Sequence, residues 1–353
     1  MKLIRVLVVE DSLTIRRALV DVLRLDVGIE VVGEAENGKR AIELCMAMRP
    51  DVITMDMVMP VMSGLAATEY IMAYMPTPIL IVSSSLNRGE DFKTYDALAA
   101  GAVDVCEKPS GEDLEGEWGR QFVQTVKLIS RIKAITHPRG RLTPRRPPAA
   151  AKLNASQGSP GLIVIGASTG GPAAIVTILK SIPSSVSAPI VFALHIDEPF
   201  AASFAEWLDA QTVHRVSYAR DLEPLAGREG EVLMAPPGKH LVIAQGRCRF
   251  SSTPPRHSCR PSIDVLFESV AKEAPGNVIA CLLTGMGRDG AAGLLAIRQA
   301  GGATIAQDEA SSVVYGMPRE AALIQAAQQV LPLTEIGPAI LEQLNANLRM
   351  TTP

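Results

Sequence analysis

Residues 162–172 read LIVIGASTGGP, and this stretch sets the architecture of the second half of the chain. Four aliphatic residues in succession are typical of a β-strand that is buried on both faces. The glycines after them predict a tight turn, and Pro172 at the start of the next apolar run favours the first turn of a helix. One hydroxyl group, that of Ser168, lies at this turn, where it could hold a phosphate, attack a carbonyl carbon or cap the helix.

Of these three roles, phosphate binding fits the residues poorly. A dinucleotide-binding fingerprint needs glycine at the position that Ser168 occupies, and Pro172 replaces the lysine of a Walker loop. Helix capping stays open, because serine and threonine side chains satisfy free N–H groups at helix starts. A nucleophile also stays open, because residues 166–170, GASTG, match the G-x-S-x-G elbow that places a reactive serine between a strand and a helix.

A nucleophilic serine needs a base and an orienting acid, and two further strand ends supply candidates. His195 directly follows the apolar run PIVFAL, and Asp289 follows NVIACLLTGMGR. Strand ends in a parallel sheet converge on one edge, so Ser168, His195 and Asp289 are predicted to meet there. His195 would take the serine proton and Asp289 would orient the imidazole, in a chain order that differs from that of α/β-hydrolases. A purely structural strand-end histidine is the alternative.

Composition places the chain among soluble globular proteins. It has 353 residues, of which 47% are hydrophobic and 20% are charged, which suits two domains of ordinary size. The formal net charge of −3 disfavours a dedicated nucleic-acid-binding protein. The sequence has neither a leader pattern nor an apolar run of about 20 residues, so membrane insertion is not expected. Five scattered cysteines without C-x-x-C spacing disfavour structural zinc and predict a cytoplasmic location.

A Pro-, Gly- and Ser-rich segment with interspersed basic residues divides the chain. It covers residues 136–159 and has the composition of an extended linker, although its arginines could also contact an acidic partner. No internal repeat relates the two flanking regions, so they are expected to be unlike domains. We predict a first domain over residues 1–125, with a final helix that extends to about residue 135, and a second domain over residues 160–347.

The first domain alternates apolar runs with helical patterns. Runs such as IRVLVV and PILIVSS have the length and composition of buried strands, whereas TIRRALVDVLRL has apolar residues at helical spacing. Five strand–helix units in about 130 residues predict a doubly wound parallel sheet. Both domains are thus expected to belong to the α/β class, with functional residues beyond the carboxyl ends of parallel strands.

Acidic residues follow two strands of the first domain. Glu10 and Asp11 come after the first strand, and Asp56 comes after the third. Carboxylates at neighbouring strand ends repel one another unless a hard cation lies between them, and Mg²⁺ prefers such oxygen ligands. Ser83 ends the fourth strand and Lys108 follows the fifth, where its ammonium group could meet a phosphoryl oxygen. Taken singly, each acid could equally be a solvated strand end.

Taken together, residues 1 to about 125 resemble a response-regulator receiver domain. The resemblance implies that Asp56 accepts a phosphoryl group from a sensor histidine kinase of the chemotaxis type. It implies that Glu10 and Asp11 hold Mg²⁺ beside that aspartate. Ser83 would be the switch hydroxyl, and Lys108 would be the lysine that meets the phosphoryl group.

Three positions near this site bear on how closely the domain follows the receiver pattern. The resemblance makes the backbone carbonyl of Val58 a further metal ligand. Ser63 stands where an acidic or amide residue is common, and Val105 stands where many receivers carry a switching tyrosine or phenylalanine. A switch that relies on a rotating aromatic side chain is therefore disfavoured, whereas phosphorylation of Asp56 is still expected.

The second domain resembles the catalytic domain of the CheB family of chemotaxis protein-glutamate methylesterases over residues 160 to about 347. The resemblance implies hydrolysis of glutamate methyl esters, with release of methanol, and deamidation of glutamines on methyl-accepting chemoreceptors, without a cofactor. The family's catalytic triad falls on Ser168, His195 and Asp289, the residues chosen above on physical grounds. The motifs that carry the likeness are IGASTGGP, LHIDEPF, RPSIDVLFESVA, LLTGMGRDGAAGLLAIRQAGG and TIAQDEASSVVYGMPREA.

Two departures from the family pattern and two alternative functions remain. Cys259 precedes RPS where relatives often have histidine, and His195 is followed by Ile196 and Asp197 where Met-Pro is common. The segment that begins at His195 is more similar to the branch of the family that serves non-flagellar chemosensory arrays. A receiver-controlled module that binds receptors without turnover is the alternative function. A transcriptional regulator is more distant, because no basic recognition helix follows the linker.

Overall fold

The computed structural model describes residues 2–84, 88–109, 116–132, 161–196 and 198–350. They form two compact units, the first within Met1–Arg146 and the second within Pro147–Pro353. The linker predicted at residues 136–159 lies outside the described residues, so the domain boundaries stay predictions. None of the helices within the described ranges is long and apolar enough to cross a membrane.

The first unit is an α/β fold in which five strands alternate with five helices. Its strands are parallel and lie in the order β2-β1-β3-β4-β5, so the predicted doubly wound sheet is confirmed. The elements are β1 (Ile4–Val9), α1 (Leu13–Arg24), β2 (Ile29–Ala35), α2 (Gly38–Met48), β3 (Val52–Met55), α3 (Gly64–Tyr74), β4 (Ile79–Ser83), α4 (Arg88–Ala99), β5 (Asp104–Glu107) and α5 (Glu117–Ile129).

Hydrophobic patterning explains how these elements pack. The last four residues of β1, which lies between β2 and β3, are buried, as expected for a strand covered on both faces. Helix α1 buries Leu19, Val20 and Leu23, whereas Arg17 and Arg24 are exposed. One apolar stripe of the helix thus faces the core and its charged side faces solvent.

Helix α5 is shorter than predicted. It ends at Ile129 rather than near residue 135, because the chain tightens into a terminal turn. The N–H of Arg131 bonds the carbonyl of Leu128, and the N–H of Ile132 bonds that of Ile129, which is the three-residue spacing of a 3₁₀ turn. The exposed side chain of Arg131 lies at the point where the helix leaves the core.

The second unit is a larger α/β fold built on a seven-stranded parallel sheet of order β14-β13-β12-β6-β7-β9-β8. Strand β6 pairs with β12 on one side and with β7 on the other. The sheet confirms the predicted fold class, whereas the antiparallel hairpin β10-β11 was not predicted. The elements are β6 (Leu162–Ala167), α6 (Gly171–Ser181), β7 (Ile190–Leu194), α7 (Glu198–Gln211), β8 (Val216–Tyr218), β9 (Val232–Met234), β10 (His240–Ala244), β11 (Arg247–Ser251), α8 (Ile263–Glu273), β12 (Val278–Leu282), α9 (Ala291–Gln299), β13 (Ala303–Gln307), α10 (Met317–Leu323), β14 (Gln329–Leu331) and α11 (Leu333–Met350).

A close contact places the start of α8 against the end of β6. A Cβ atom at Gly166 would lie 2.3 Å from Cγ2 of Ile263, so only glycine permits this approach. The N–H of Gly293 in α9 also donates to Oδ1 of Asp264 at 2.7 Å, which ties the first turn of α8 to α9. The N-terminus of α8 is therefore held at the carboxyl edge of the sheet.

Candidate functional sites

The predicted acidic residues of the first unit gather at one edge of its sheet. Glu10 and Asp56 follow the adjacent strands β1 and β3 and are buried, whereas Asp11 is exposed. One ligand oxygen from each of the three lies within 4.8 Å of the others. The expected clustering of these carboxylates is therefore present in the fold.

Lys108 lies between the two buried carboxylates. Its Nζ is 2.9 Å from Oδ1 of Asp56 and 2.9 Å from Oε2 of Glu10. Burial, together with the negative charge of Asp56, raises the pKa of Glu10 to about 7, and burial raises the pKa of Asp56 as well. Burial would lower the pKa of Lys108, but its two carboxylate partners outweigh this and raise it. One ammonium group does not neutralise both acids.

One oxygen of Asp56 has no hydrogen-bond partner among the residues that the structure describes. Oδ1 accepts the N–H groups of Met57 at 2.7 Å and Val58 at 3.4 Å, whereas Oδ2 is buried and unpartnered. A buried carboxylate oxygen without a donor is costly, and a hard divalent cation would satisfy it and offset the excess negative charge. The donor set of Glu10, Asp11 and Asp56 fits Mg²⁺ in this respect.

The remaining predicted residues of the first unit occupy neighbouring strand ends. Ser83 is buried at the end of β4, and its backbone carbonyl accepts the N–H of Lys108 at 3.0 Å. Val105 is buried in β5. Ser63 caps helix α3, because its Oγ accepts the N–H of Ala66 at 3.3 Å. The serine at this departure from the receiver pattern thus has a local structural reason.

In the second unit, the predicted triad residues follow three neighbouring strands. Ser168 comes directly after β6, His195 directly after β7, and Asp289 after β12 and a turn. Backbone hydrogen bonds join these ends, since the N–H of His195 donates to Ala167 at 3.1 Å and the N–H of Ser168 donates to Thr284 at 3.0 Å. The parallel sheet brings the three segments together.

Asp289 is saturated with hydrogen-bond donors. Its Oδ2 lies 2.8 Å from Nε2 of His195 and accepts the N–H of Ile263 at 2.7 Å. Its Oδ1 accepts the hydroxyl of Ser262 at 2.8 Å and the N–H of Asp264 at 3.1 Å. The carboxylate thus lies on the N-terminus of α8, where the helix dipole also favours a negative charge. Burial opposes ionisation, but these partners outweigh it and lower the pKa of Asp289.

His195 is held in one orientation by this carboxylate. Nε2 donates to Asp289, so Nδ1 is the ring nitrogen that can accept a proton. Burial alone would lower the pKa of His195, but the hydrogen bond to Asp289 and the contact with Cys259 raise it to about 9. The imidazolium form is therefore strongly stabilised, and the neutral ring, the form that can accept a proton at Nδ1, predominates only above a pH of about 9.

Ser168 lies at the turn but does not cap the helix. The residue that precedes α6 is Gly170, which makes no side-chain cap, and Pro172 lies in the first turn of the helix as predicted. In the described part of the chain, which includes both residues, the Ser168 hydroxyl makes no hydrogen bond to the ring of His195. The side chain next to Nδ1 is instead Cys259, whose Sγ lies 3.6 Å away.

Sequence reasoning missed Ser262 and the N-terminus of α8 as partners of Asp289. The stretch RPSIDVLFE contains a helix-start signal, and Ser262 does cap α8 by accepting the N–H of Val265 at 3.3 Å. Nothing in that signal indicates which carboxylate lies above the helix. Two other histidines, His214 and His240, are buried with their ring nitrogens against backbone groups, which is a structural role.

Comparison with known proteins identifies both units. Residues 163–340 match the family model described as CheB methylesterase, and residues 6–115 match the response regulator receiver domain. A protein-glutamate methylesterase/protein-glutamine glutaminase 2 of Anaeromyxobacter dehalogenans is 42% identical over 96% of each chain. A protein-glutamate methylesterase/protein-glutamine glutaminase of a Nocardioides species is 42% identical over 97% of this chain and 95% of its own. The crystal structure of the Thermotoga maritima CheB methylesterase catalytic domain is 33% identical, with a TM-score of 0.50 over 52% of this chain and 99% of its own.

The titration of His195 tests the geometry of this site. We expect its imidazole to titrate with a pKa of about 9, as measured by NMR of the histidine ring signals assigned with a His195→Gln variant. In Asp289→Asn the carboxylate that stabilises the imidazolium is gone while burial remains, so the pKa should fall below the ordinary value of about 6.5. Asp221→Asn is the control, because Asp221 contacts Phe250 instead. An unchanged pKa in Asp289→Asn would contradict the pairing.

Proposed function

This chain belongs to the CheB methylesterase family, and from that premise we propose that it hydrolyses γ-glutamyl methyl esters on chemoreceptors and releases methanol. It also deamidates glutamines of the same substrates, since an ester and an amide share the acyl-transfer route. Phosphorylation of the first unit controls the second. The observation that carries the proposal is the contact between His195 and the saturated carboxylate of Asp289, at the sheet edge that Ser168 also occupies.

The three side chains have distinct roles in the proposed reaction. The Ser168 hydroxyl attacks the ester carbonyl carbon while Nδ1 of His195 takes its proton, and Asp289 stabilises the resulting imidazolium. The proton then passes to the departing methoxide, which leaves as methanol, and a glutamyl ester of the serine remains. Water activated by the same imidazole hydrolyses this acyl-enzyme and returns the serine. With a glutamine substrate, ammonia leaves in place of methanol.

Backbone N–H groups stabilise the oxyanion of this reaction. We assign the N–H of Thr169, in the turn that leads into α6, and the turn around Met286, whose side chain is exposed. A helix N-terminus favours a developing negative charge, and each such donor contributes roughly 2.7–4 kcal/mol to transition-state stabilisation. The esterase reaction needs no cofactor beyond these groups.

The first unit accepts the regulatory phosphoryl group on Asp56. Glu10, Asp11 and Asp56 would hold Mg²⁺, with the Val58 carbonyl as a further ligand, and the ion would neutralise negative charge on phosphoryl oxygens. The buried, unpartnered Oδ2 of Asp56 and the raised pKa of Glu10 support this role. Lys108 contacts Asp56 directly and is placed to meet the phosphoryl group.

The partners follow from these two chemistries. The phosphodonor is a histidine kinase of the chemotaxis type, and the substrate is a methyl-accepting receptor. Ser83 is the hydroxyl that responds to phosphorylation, while the buried Val105 replaces the aromatic side chain of many receivers. The reaction takes place in the cytoplasm, which agrees with five cysteines that are all free thiols. Nucleic acid and direct membrane insertion have no part in it.

Triad variants test catalysis against mere receptor binding. Ser168→Ala is expected to remove nearly all methanol release from methylated receptor membranes, and His195→Ala to cost about as much, because triad members act as a unit. Asp289→Asn should be the mildest, with a loss on the order of 10⁴-fold. Ser184→Ala, an exposed serine beyond α6, is the control and should stay active. A Ser168 variant that kept half its activity with a normal melting curve would disprove the triad.

Phosphorylation is tested with a small acyl phosphate and Mg²⁺. Asp56 should be the labelled residue, as located by mass spectrometry, and Asp56→Asn should abolish the label. Asp11→Asn should weaken Mg²⁺ binding, so that labelling needs a higher Mg²⁺ concentration, because a divalent ion held by fewer carboxylates binds less well. Asp21→Asn, an exposed aspartate on α1, should behave like the unmodified chain. Labelling that persists in EDTA would contradict the metal site.

Control of one unit by the other is tested by comparing three forms on the same receptor membranes. We expect the unphosphorylated receiver to restrain the esterase, because a receptor helix is a bulky substrate that needs an open site. A fragment that starts near residue 158 should exceed the unphosphorylated full chain by roughly 5- to 150-fold, the usual range of coupling between sites. An acyl phosphate should raise the full chain towards the fragment and leave the fragment unchanged. Equal methanol release by all three would leave the receiver as a targeting device.

A further inference from the structure

A thiol and an imidazole nitrogen face each other beside the proposed catalytic site. Sγ of Cys259 lies 3.6 Å from Nδ1 of His195, and both side chains are partly buried. Donor atoms of Cys259, His195 and Asp289 all lie within 4.8 Å of one another. Because Nε2 is engaged by Asp289 at 2.8 Å, Nδ1 is the nitrogen whose lone pair is directed away from the carboxylate.

The separation of sulfur and nitrogen matches that of two ligands on one zinc ion. Zn–S bonds are about 2.3 Å and Zn–N bonds about 2.0 Å, and two such ligands at a tetrahedral angle are about 3.5 Å apart. The observed distance of 3.6 Å between Sγ and Nδ1 is close to this distance between two zinc ligands. Little movement of either side chain is needed to admit the ion.

Both donors are already held in place. Cys259 lies in a turn closed by two backbone hydrogen bonds with Arg256, of 3.1 and 2.9 Å. His195 is oriented by Asp289 through its other ring nitrogen, which is the carboxylate–histidine arrangement that supports many zinc ligands. Little of the free energy of cation binding would therefore be spent on ordering these two side chains.

We propose that Cys259 and His195 bind a thiophilic divalent cation, Zn²⁺ as the type case, and that its binding inhibits the esterase. The thiol and the protonated Nδ1 each give up a proton to solvent, the thiolate and the Nδ1 lone pair bind the ion, and water fills the remaining positions. The occupied Nδ1 then cannot accept the Ser168 proton, so the inhibitory part rests on the proposed function. Mg²⁺ does not compete, because it prefers oxygen ligands.

Cobalt serves as the spectroscopic probe of this site. The full chain, with excess Mg²⁺ present for the first unit, is titrated with Co²⁺ and then with Zn²⁺. We expect one thiolate-to-cobalt absorption band per chain, displaced by Zn²⁺, absent in Cys259→Ser and retained in Cys106→Ser. Cys106 is the matched control, because it is the other cysteine that is not fully buried. A band of equal strength in Cys259→Ser, or no band in the unmodified chain, would overturn the metal site.

Inhibition is measured separately, as methanol release against Zn²⁺ concentration, with each variant scaled to its own rate without Zn²⁺. Loss of an outer-shell partner costs about 10- to 100-fold in metal affinity, so loss of the thiolate ligand should raise the half-inhibitory Zn²⁺ concentration by at least about tenfold. Cys106→Ser should be inhibited like the unmodified chain. Equal inhibition of Cys259→Ser would overturn the inhibitory role. If the chain released no methanol at all, the proposed function would fail, while the cobalt titration would still decide the metal site.

Discussion

A single buried carboxylate, that of Asp289, joins segments that lie far apart in the second half of the chain. It is almost fully removed from solvent, so each of its oxygens must be paired with donors. The start of α8 supplies two N–H groups and one hydroxyl, and β7 presents the ring of His195. Meeting this requirement places helix α8 at the sheet edge, and it also orients the imidazole.

The acidic site of the first unit follows the opposite principle. Whereas Asp289 has all its donors, Glu10 and Asp56 share one ammonium group, and Oδ2 of Asp56 has no partner within the described part of the chain. The carboxylate of Asp289 is stabilised as a fixed anion. The carboxylates of Glu10 and Asp56 keep unsatisfied acceptor oxygens, which is the state expected of a site that must gain and lose a cation and a phosphoryl group.

Sequence reasoning reached both sheets and the strand ends, because hydrophobic runs and parallel connectivity determine which residues share an edge. It placed Ser168, His195 and Asp289 at strand ends on one edge of a parallel sheet for that reason. It could not find the contact of Asp289 with the start of α8, which depends on the packing of Gly166 against Ile263. The end of α5 and the position of Cys259 likewise depend on local turns that periodicity does not encode.

The saturation of Asp289 leaves His195 with one acceptor nitrogen and two side chains that can use it. Asp289 holds Nε2, so both the Ser168 hydroxyl and the Cys259 thiol depend on Nδ1, and the thiol lies 3.6 Å from it in this structure. A thiol is a weak hydrogen-bond donor, so replacing it at Nδ1 by a hydroxyl group gives up only a weak hydrogen bond. Catalytic hydrogen bonds are commonly loose before substrate binds. The site therefore combines a rigid half, built on Asp289, with an adjustable half around Nδ1, and any group that binds Nδ1 firmly must compete with catalysis.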